Sequence, residues 1–207
     1  METITKNTNK LIEEGINEAL SYTDYNNLVQ KLAVDGGTTG NEQTEAMVNY
    51  TKLGARRMKR WDKTVKITPE AIEKIKQFDQ PITWLILSES WCGDAAHIIP
   101  VLNKIASLNE NINIKIILRD KHDALMNEFL TNGGKAIPKL IALDSNNDVK
   151  FTYGPRPSAA AKMVNEFKEE HGQLTPEFKE DLQRWYNKDK GQTVVDDLIK
   201  ALTAFIK

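Results

Sequence analysis

A second cysteine is missing from this sequence, and that absence excludes more than most residues present can establish. Cys92 stands alone in a chain of 207 residues, so no intrachain disulfide can form and no cysteine cluster can hold zinc. The three histidines, His97, His122 and His171, are scattered along the chain, and neither a metal site nor a cofactor is expected. Long apolar runs are missing too. No stretch approaches the roughly 18 residues that span a bilayer, so no membrane partner is expected. There is no excess of charge of either sign: the formal net charge is -1, and no basic patch marks a nucleic-acid surface. The opening residues, Met1 to Gly15, lack the basic start and apolar stretch of a secretory leader, which makes a cytoplasmic protein the expectation.

What is present describes an ordinary core. Apolar residues make up 40% of the chain and charged residues 28%, as in a soluble globular domain. The length suits one domain with helical additions. Apolar spacing predicts helices over 7–20 and 24–34, the second stopped by Gly36 and Gly37. Residues 35–41 form a loop by composition. A long helix over 42–61 follows, with Met47, Tyr50, Leu53 and Met58 near one face. Arg56, Arg57, Lys59 and Arg60 crowd its end, where cations suit the helix dipole.

From Thr64 onward strands and helices alternate. Val65, Lys66 and Ile67 suit a short edge strand, and Thr68-Pro69-Glu70 opens a helix with Thr68 as N-cap. The near-continuous apolar run over 82–87 predicts a strand buried on both faces. A helix follows from about 95 to 108, then a strand over 112–118 and a helix over 121–130. Asp120 is the expected cap of that last helix, and Asn132-Gly133-Gly134 its termination. Strands over 139–143 and 149–153 flank a turn and form a hairpin. Helices over 158–170, from Thr175 and from about Gln192 complete the chain. The order from Thr64 is β-α-β-α-β-α-β-β-α, with two parallel crossovers before the hairpin. The organisation expected is an N-terminal helical extension (1–62), a central domain (63–170) and C-terminal helices packed on it (171–207).

Trp91-Cys92-Gly93-Asp94-Ala95 falls at the strand-to-helix turn, Pro100 lies inside the following helix, and Ala136-Ile137-Pro138 precedes the hairpin. Together with the element order these residues resemble the thioredoxin family, which carries Trp-Cys-Gly-Pro-Cys, a helix proline and a cis Ile-Pro at those places. The resemblance covers about 64–170. It implies an α/β thioredoxin fold, a central mixed sheet flanked by helices, here with N- and C-terminal helical extensions. Within the family the sequence is most similar to a bacterial branch with Trp-Cys-Gly-Asp-Ala. Leu118-Arg119-Asp120, Thr131 to Gly134 and Gly154-Pro155-Arg156-Pro157 also resemble that branch, whose reaction is not defined. Two departures from thioredoxin stand out. Ala95 replaces the second cysteine, and Ile86 falls where the family has the aspartate that deprotonates it. A dithiol disulfide reductase is excluded by stoichiometry.

Cys92 is the candidate catalytic residue. At a helix start it faces unsatisfied N–H groups that favour the thiolate, while Asp94 opposes that ionisation. Each effect is on the order of 1 kcal/mol or less at a surface site, so the sequence does not fix the sign of the net shift. Ligands of open α/β sheets gather at the carboxyl ends of parallel strands. Trp91, Asp94, Asp120, Ile137, Pro138 and Lys139 are therefore the candidate binding residues, expected to line one shallow groove around Cys92. Each also has a plainer use: Asp120 as an N-cap, Asp94 as a first-turn charge, Lys139 as a strand-edge charge. His97 lies about 500° of helix rotation from Cys92 and is expected to serve packing, as are Trp84 and Trp185. Arg156 suits a structural salt bridge or an anionic group. Two functions follow. One is a monothiol redox protein forming a mixed disulfide with a protein or low-molecular-weight thiol. The other is a non-enzymatic protein- or peptide-binding module. The oligomeric state is not fixed by the sequence.

Overall fold

Strand β1 (Ile82–Ser88) is apolar at nearly every position because it lies inside a four-stranded sheet with helices on both faces. The computed structural model describes residues 6–205; the first five residues of the expected N-terminal extension and the last two of the segment expected to hold the C-terminal helices lie outside that range. The sheet order is β2 (Ile112–Leu118), β1, β3 (Lys139–Leu143), β4 (Val149–Tyr153). β1 runs parallel to β2, with Ile82 opposite Ile112 and Ser88 opposite Leu118. β3 is antiparallel to β1, and β4 to β3. Helix α5 (Ala95–Ala106) makes the parallel crossover, so the cysteine turn sits at the carboxyl ends of β1 and β2.

The remaining helices are α1 (Lys6–Glu18), α2 (Tyr22–Asp35), α3 (Glu45–Thr64), α4 (Pro69–Lys76), α6 (Asp123–Glu128), α7 (Ser158–His171), α8 (Pro176–Asp189) and α9 (Gln192–Phe205). Four of them start where a hydroxyl can replace a missing helical acceptor. Ser21, Thr44, Thr68 and Thr175 accept from the amides of Asp24, Met47, Ala71 and Phe178, the usual N-cap bond. Helices from both ends of the chain share one hydrophobic core with the sheet, through Tyr25, Trp61, Tyr186 and Leu198. No described helix is long and apolar enough to cross a membrane.

Four local expectations are corrected. Val65 to Ile67 form no strand. The Val65 N–H instead caps α3 by donating to the Trp61 carbonyl (2.9 Å), so there is one parallel crossover rather than two. The outer edge of β2 meets Leu20 instead, which exchanges two backbone hydrogen bonds with Ile116 (2.8 and 2.9 Å). Asp120 does not cap α6, which begins three residues later. Asn132 and Gly133, with φ of 50° and 75°, close a tight turn between Thr131 and Gly134 rather than ending a helix. The cations of α3 lie before its last turn, which holds only Lys63.

The face α3 buries also differs from the one expected. Thr51, Gly54, Ala55, Met58 and Trp61 point inward, while Tyr50 and Leu53 are 53% and 39% exposed. Small residues win the inner face because α3 crosses directly over the cysteine turn. A Cβ on Gly54 would stand 2.9 Å from the Ser90 carbonyl oxygen. Hydroxyls close the same contact: Ser90 Oγ accepts from the Thr39 amide (2.9 Å) and bonds Thr51 Oγ1 (2.8 Å), and the Ser90 amide donates to Thr39 Oγ1 (2.7 Å).

Gly54→Ala tests this close approach. In a free helix alanine is favoured by about 1 kcal/mol, but here the methyl meets backbone that cannot swing aside, and overpacking costs roughly 1–3 kcal/mol. The expected outcome is a lower urea midpoint, a net loss of about 1 kcal/mol or more. An unchanged or raised midpoint would show that α3 is not pressed on the turn.

Candidate functional site

Cys92 lies in the turn between β1 and α5. Its amide donates to the Glu89 carbonyl (3.1 Å), which tightens the turn and points the side chain toward the β3 side. Cys92 is only 7% exposed. Its thiol donates to the Ile137 carbonyl (3.2 Å), and the Ala95 amide donates to the sulfur (3.4 Å). The Ile137–Pro138 peptide is cis. Burial, then the charge of Asp94, pushes the thiol pKa up to about 12, against smaller opposing effects of the Ala95 and Asp94 amides and Arg156. The helix-start amides are present, but they lose to desolvation. The sulfur rests as a neutral thiol.

Asp94 is drawn inward rather than left at the helix surface. Arg156 pairs with it (2.8 Å), and the Tyr186 hydroxyl donates to its other oxygen (2.9 Å). Burial raises its pKa, while Arg156, Tyr186 and Arg57 pull it back. The ion pair joins the Gly154 to Pro157 segment and α8 to the cysteine turn. His97 lies one helical turn beyond Asp94, buried and stacked on Tyr186 at 4.3 Å. Trp61 Nε1–H donates to its Nδ1 (2.8 Å), which leaves the proton on Nε2, facing Gln183 Oε1 (2.7 Å). His97 is thus a packing residue that fastens α3 and α8 to α5.

A cleft of about 810 Å³ opens beside this turn. Its floor includes Trp91, Cys92, Gly93, Asp94 and Ile137; one wall is α3 with Met47, Tyr50, Leu53 and Arg57. The other wall is the start of α8 and the residues before it, Leu174, Pro176, Leu182 and Gln183. Of the residues expected to line one groove, Trp91, Cys92, Asp94 and Ile137 do so. Asp120, Pro138 and Lys139 do not. Lys139 is 6% exposed and donates to Thr131 Oγ1 (3.1 Å), with its pKa lowered by burial. It is no strand-edge charge.

Asp120 has a structural task instead. Its Oδ2 accepts the Asn41 amide (3.1 Å), its Oδ1 pairs with Arg119 (2.7 Å), and its own amide donates to Glu89 Oε1 (2.9 Å). Arg119 in turn lies 5.0 Å from the Trp91 ring centre, a cation–π distance. Gly40, at φ +86°, passes so close that a Cβ would stand 2.7 Å from Asp120 Oδ2 and 3.2 Å from Trp91 Nε1. The loop before α3 is therefore clamped over the back of Trp91. Sequence reasoning missed Glu89, Arg57, Tyr186 and Gln183. Glu89 carried a signal, a carboxylate closing an apolar strand. It is fully buried, its pKa is raised by burial, and Oε2 has no hydrogen-bond partner among the described residues.

Among the described residues no group of His, Cys, Asp and Glu side chains is arranged to hold a metal ion. A cysteine at the turn after a parallel strand of a mixed sheet, bonded to the residue before a cis-proline, is the arrangement of a thioredoxin-like domain. The family model described as Thioredoxin matches residues 40–171, more than half of the chain, and the chain belongs to that family. Among solved structures, a protein of unknown function from Pseudomonas aeruginosa is similar with a TM-score of 0.57 at 16% identity, covering 89% of this chain and 98% of that one. An HIV epitope scaffold is similar to the same degree, with a TM-score of 0.57 at 16% identity over 89% of this chain and 99% of the scaffold. At that identity the likeness concerns the fold alone, including helices outside the family match. No curated protein matches the chain.

The neutral state of His97 gives the fold a pH dependence. Burial, with Arg57 and Arg60 nearby, holds its pKa down to about 4 from 6.5. In the unfolded chain the histidine takes a proton near 6.5, so its contribution is complete above that pH and is lost as the pH falls toward 4. A shift of this size corresponds to roughly 3 kcal/mol. His97→Gln, which can still bond Trp61 and Gln183, removes the titration. Between pH 7 and pH 4 the wild type should lose roughly 3 kcal/mol more stability than the variant in urea unfolding. Parallel losses would assign acid sensitivity elsewhere.

Proposed function

We propose that this protein is a ligand-binding module on a thioredoxin fold, in which Cys92 is a protonated part of the cleft wall rather than a resting nucleophile. The observation that carries the reading is the state of the sulfur: 7% exposed, donating to Ile137 O, its pKa pushed up to about 12. Thiol exchange needs the thiolate, and burial with Asp94 works against it. Ala95 removes the internal thiol that would resolve a mixed disulfide. The Trp-Cys-Gly-Asp-Ala motif accords with a single-cysteine bacterial branch of the family, in which Asp94 matters as the anchor of Arg156 and α8. Its ligand occupies the cleft between α3 and α8, with Trp91 and Ile137 at the floor.

Monothiol exchange is the second reading, favoured by one observation: Cys92 lines the cleft and receives the Ala95 N–H. In that reaction the Cys92 thiolate displaces one sulfur of an incoming disulfide as a free thiolate. An external thiol then attacks the mixed disulfide and restores Cys92.

Alkylation of Cys92 by iodoacetamide across pH separates the two. For a binding module the rate in the folded chain climbs without a plateau through the ordinary thiol range near 8.5. It stays well below the rate in the urea-unfolded chain, and oxidised glutathione leaves the intact mass unchanged. A half-maximal rate below about 8.5, or one glutathione adduct per chain, would overturn the binding reading in favour of exchange.

A further inference from the structure

The two walls of the cleft differ in a way that specifies its ligand. Along α3, Met47, Tyr50, Leu53 and Arg57 follow one another at helical spacing and all face the cleft, a stripe about 15 Å long at 1.5 Å per residue. Tyr50 and Leu53 are two of the four exposed large apolar side chains of the described chain. Leu174, Pro176 and Leu182 face them from the α8 side. The stripe is apolar for three of its members and ends in a cation.

Of the cations lining the cleft, Arg57 and the exposed Lys179 have no ion pair among the described residues, and of these two only Arg57 is half-buried. Arg119 pairs with Asp120, Lys135 with Asp123 and Arg156 with Asp94. Arg57 has no hydrogen bond or ion pair among the described residues, although it is half-buried. Its guanidinium lies against Gly93, where a Cβ would be 3.4 Å from Nη1. Burial and Arg60 disfavour its charge, while Asp94 favours it. An incoming anion would help offset both penalties, and a planar guanidinium suits a carboxylate.

We propose that the cleft binds a small amphipathic anion, a carboxylate on an extended apolar body. The carboxylate pairs with Arg57 beside Gly93 and Cys92, and the body lies along Leu53, Tyr50 and Met47. The volume of about 810 Å³ falls in the range of small-molecule sites, about 300–1,000 Å³. This rests on the reading of the cleft as the ligand site, and it adds the ligand's chemical class.

Sodium decanoate, kept below its micellar concentration, is a suitable probe of the full chain, read by tryptophan fluorescence and by the thermal midpoint. Binding should saturate at one site per chain. Decanol and decyltrimethylammonium should bind about tenfold more weakly or worse. Arg57→Gln should bring decanoate down to the level of decanol, Arg57→Lys should keep only part of the preference for the acid, and Leu53→Ser should weaken acid and alcohol alike. Both side chains line the cleft, and an unchanged circular dichroism spectrum checks the fold. Equal affinities for acid and alcohol, both reduced by Leu53→Ser, overturn the anion assignment and leave the cleft as an apolar site. No saturable binding, or binding indifferent to both positions, overturns the cleft reading as well. A dimer in sedimentation that Leu53→Ser dissociates assigns the stripe to a second copy and overturns the proposal.

Discussion

A carboxylate taken out of water must be matched or protonated, and Asp94 shows how much structure one such group can organise. Its partners come from distant parts of the chain: Arg156 from the segment after the hairpin, and Tyr186 from a helix beyond the family match. Both are held at the cysteine turn because they satisfy it. With Tyr186 in place, His97 has a ring to stack on, and with Gln183 beside it both of its nitrogens are bonded. The same carboxylate raises the pKa of the neighbouring thiol. Asp94, the last residue of the turn before α5, thus contributes both to the packing and to the reticence of the thiol.

The N-terminal helices are equally part of the site. α3 crosses the turn at Gly54, and hydroxyls of Thr39 and Thr51 meet Ser90 beneath it. The loop carrying Gly40 is fastened to Asp120, which Glu89 holds from the other side. Each of these contacts uses short side chains or backbone, which fix position closely and leave little room for rearrangement. The wall that α3 presents to the cleft is set by what its opposite face must pack against.

Local signals explain what the sequence disclosed. N-cap hydroxyls, Pro69 and Pro176 in first turns, the apolar run of β1 and the turn before β4 each act within a few residues, and they marked most elements. The membership in the thioredoxin family was legible in the same way, from motifs at the cysteine turn and the hairpin. The orientation of α3 was not. Tyr50 and Leu53 outweigh Thr51, Gly54 and Ala55 in hydrophobicity, but the close approach to Ser90 admits only small groups. Val65 and Ile67 have the character of a strand, yet the edge of β2 is met by Leu20. The ion pair of Asp94 with Arg156 and the placing of Arg57 beside Gly93 depend on contacts remote in sequence, which no local pattern reports.

The clasp between Leu20 and Ile116 bears on how the chain behaves in company. A sheet that ends in an unpaired strand offers its free amides and carbonyls as a template, and neighbouring molecules can add to it until they precipitate. Here a single residue between two helices occupies the middle of that border with two hydrogen bonds. The border of β2 is thereby closed to strand addition at its centre. The residue that closes it joins α1 to α2, the two helices that precede the family match.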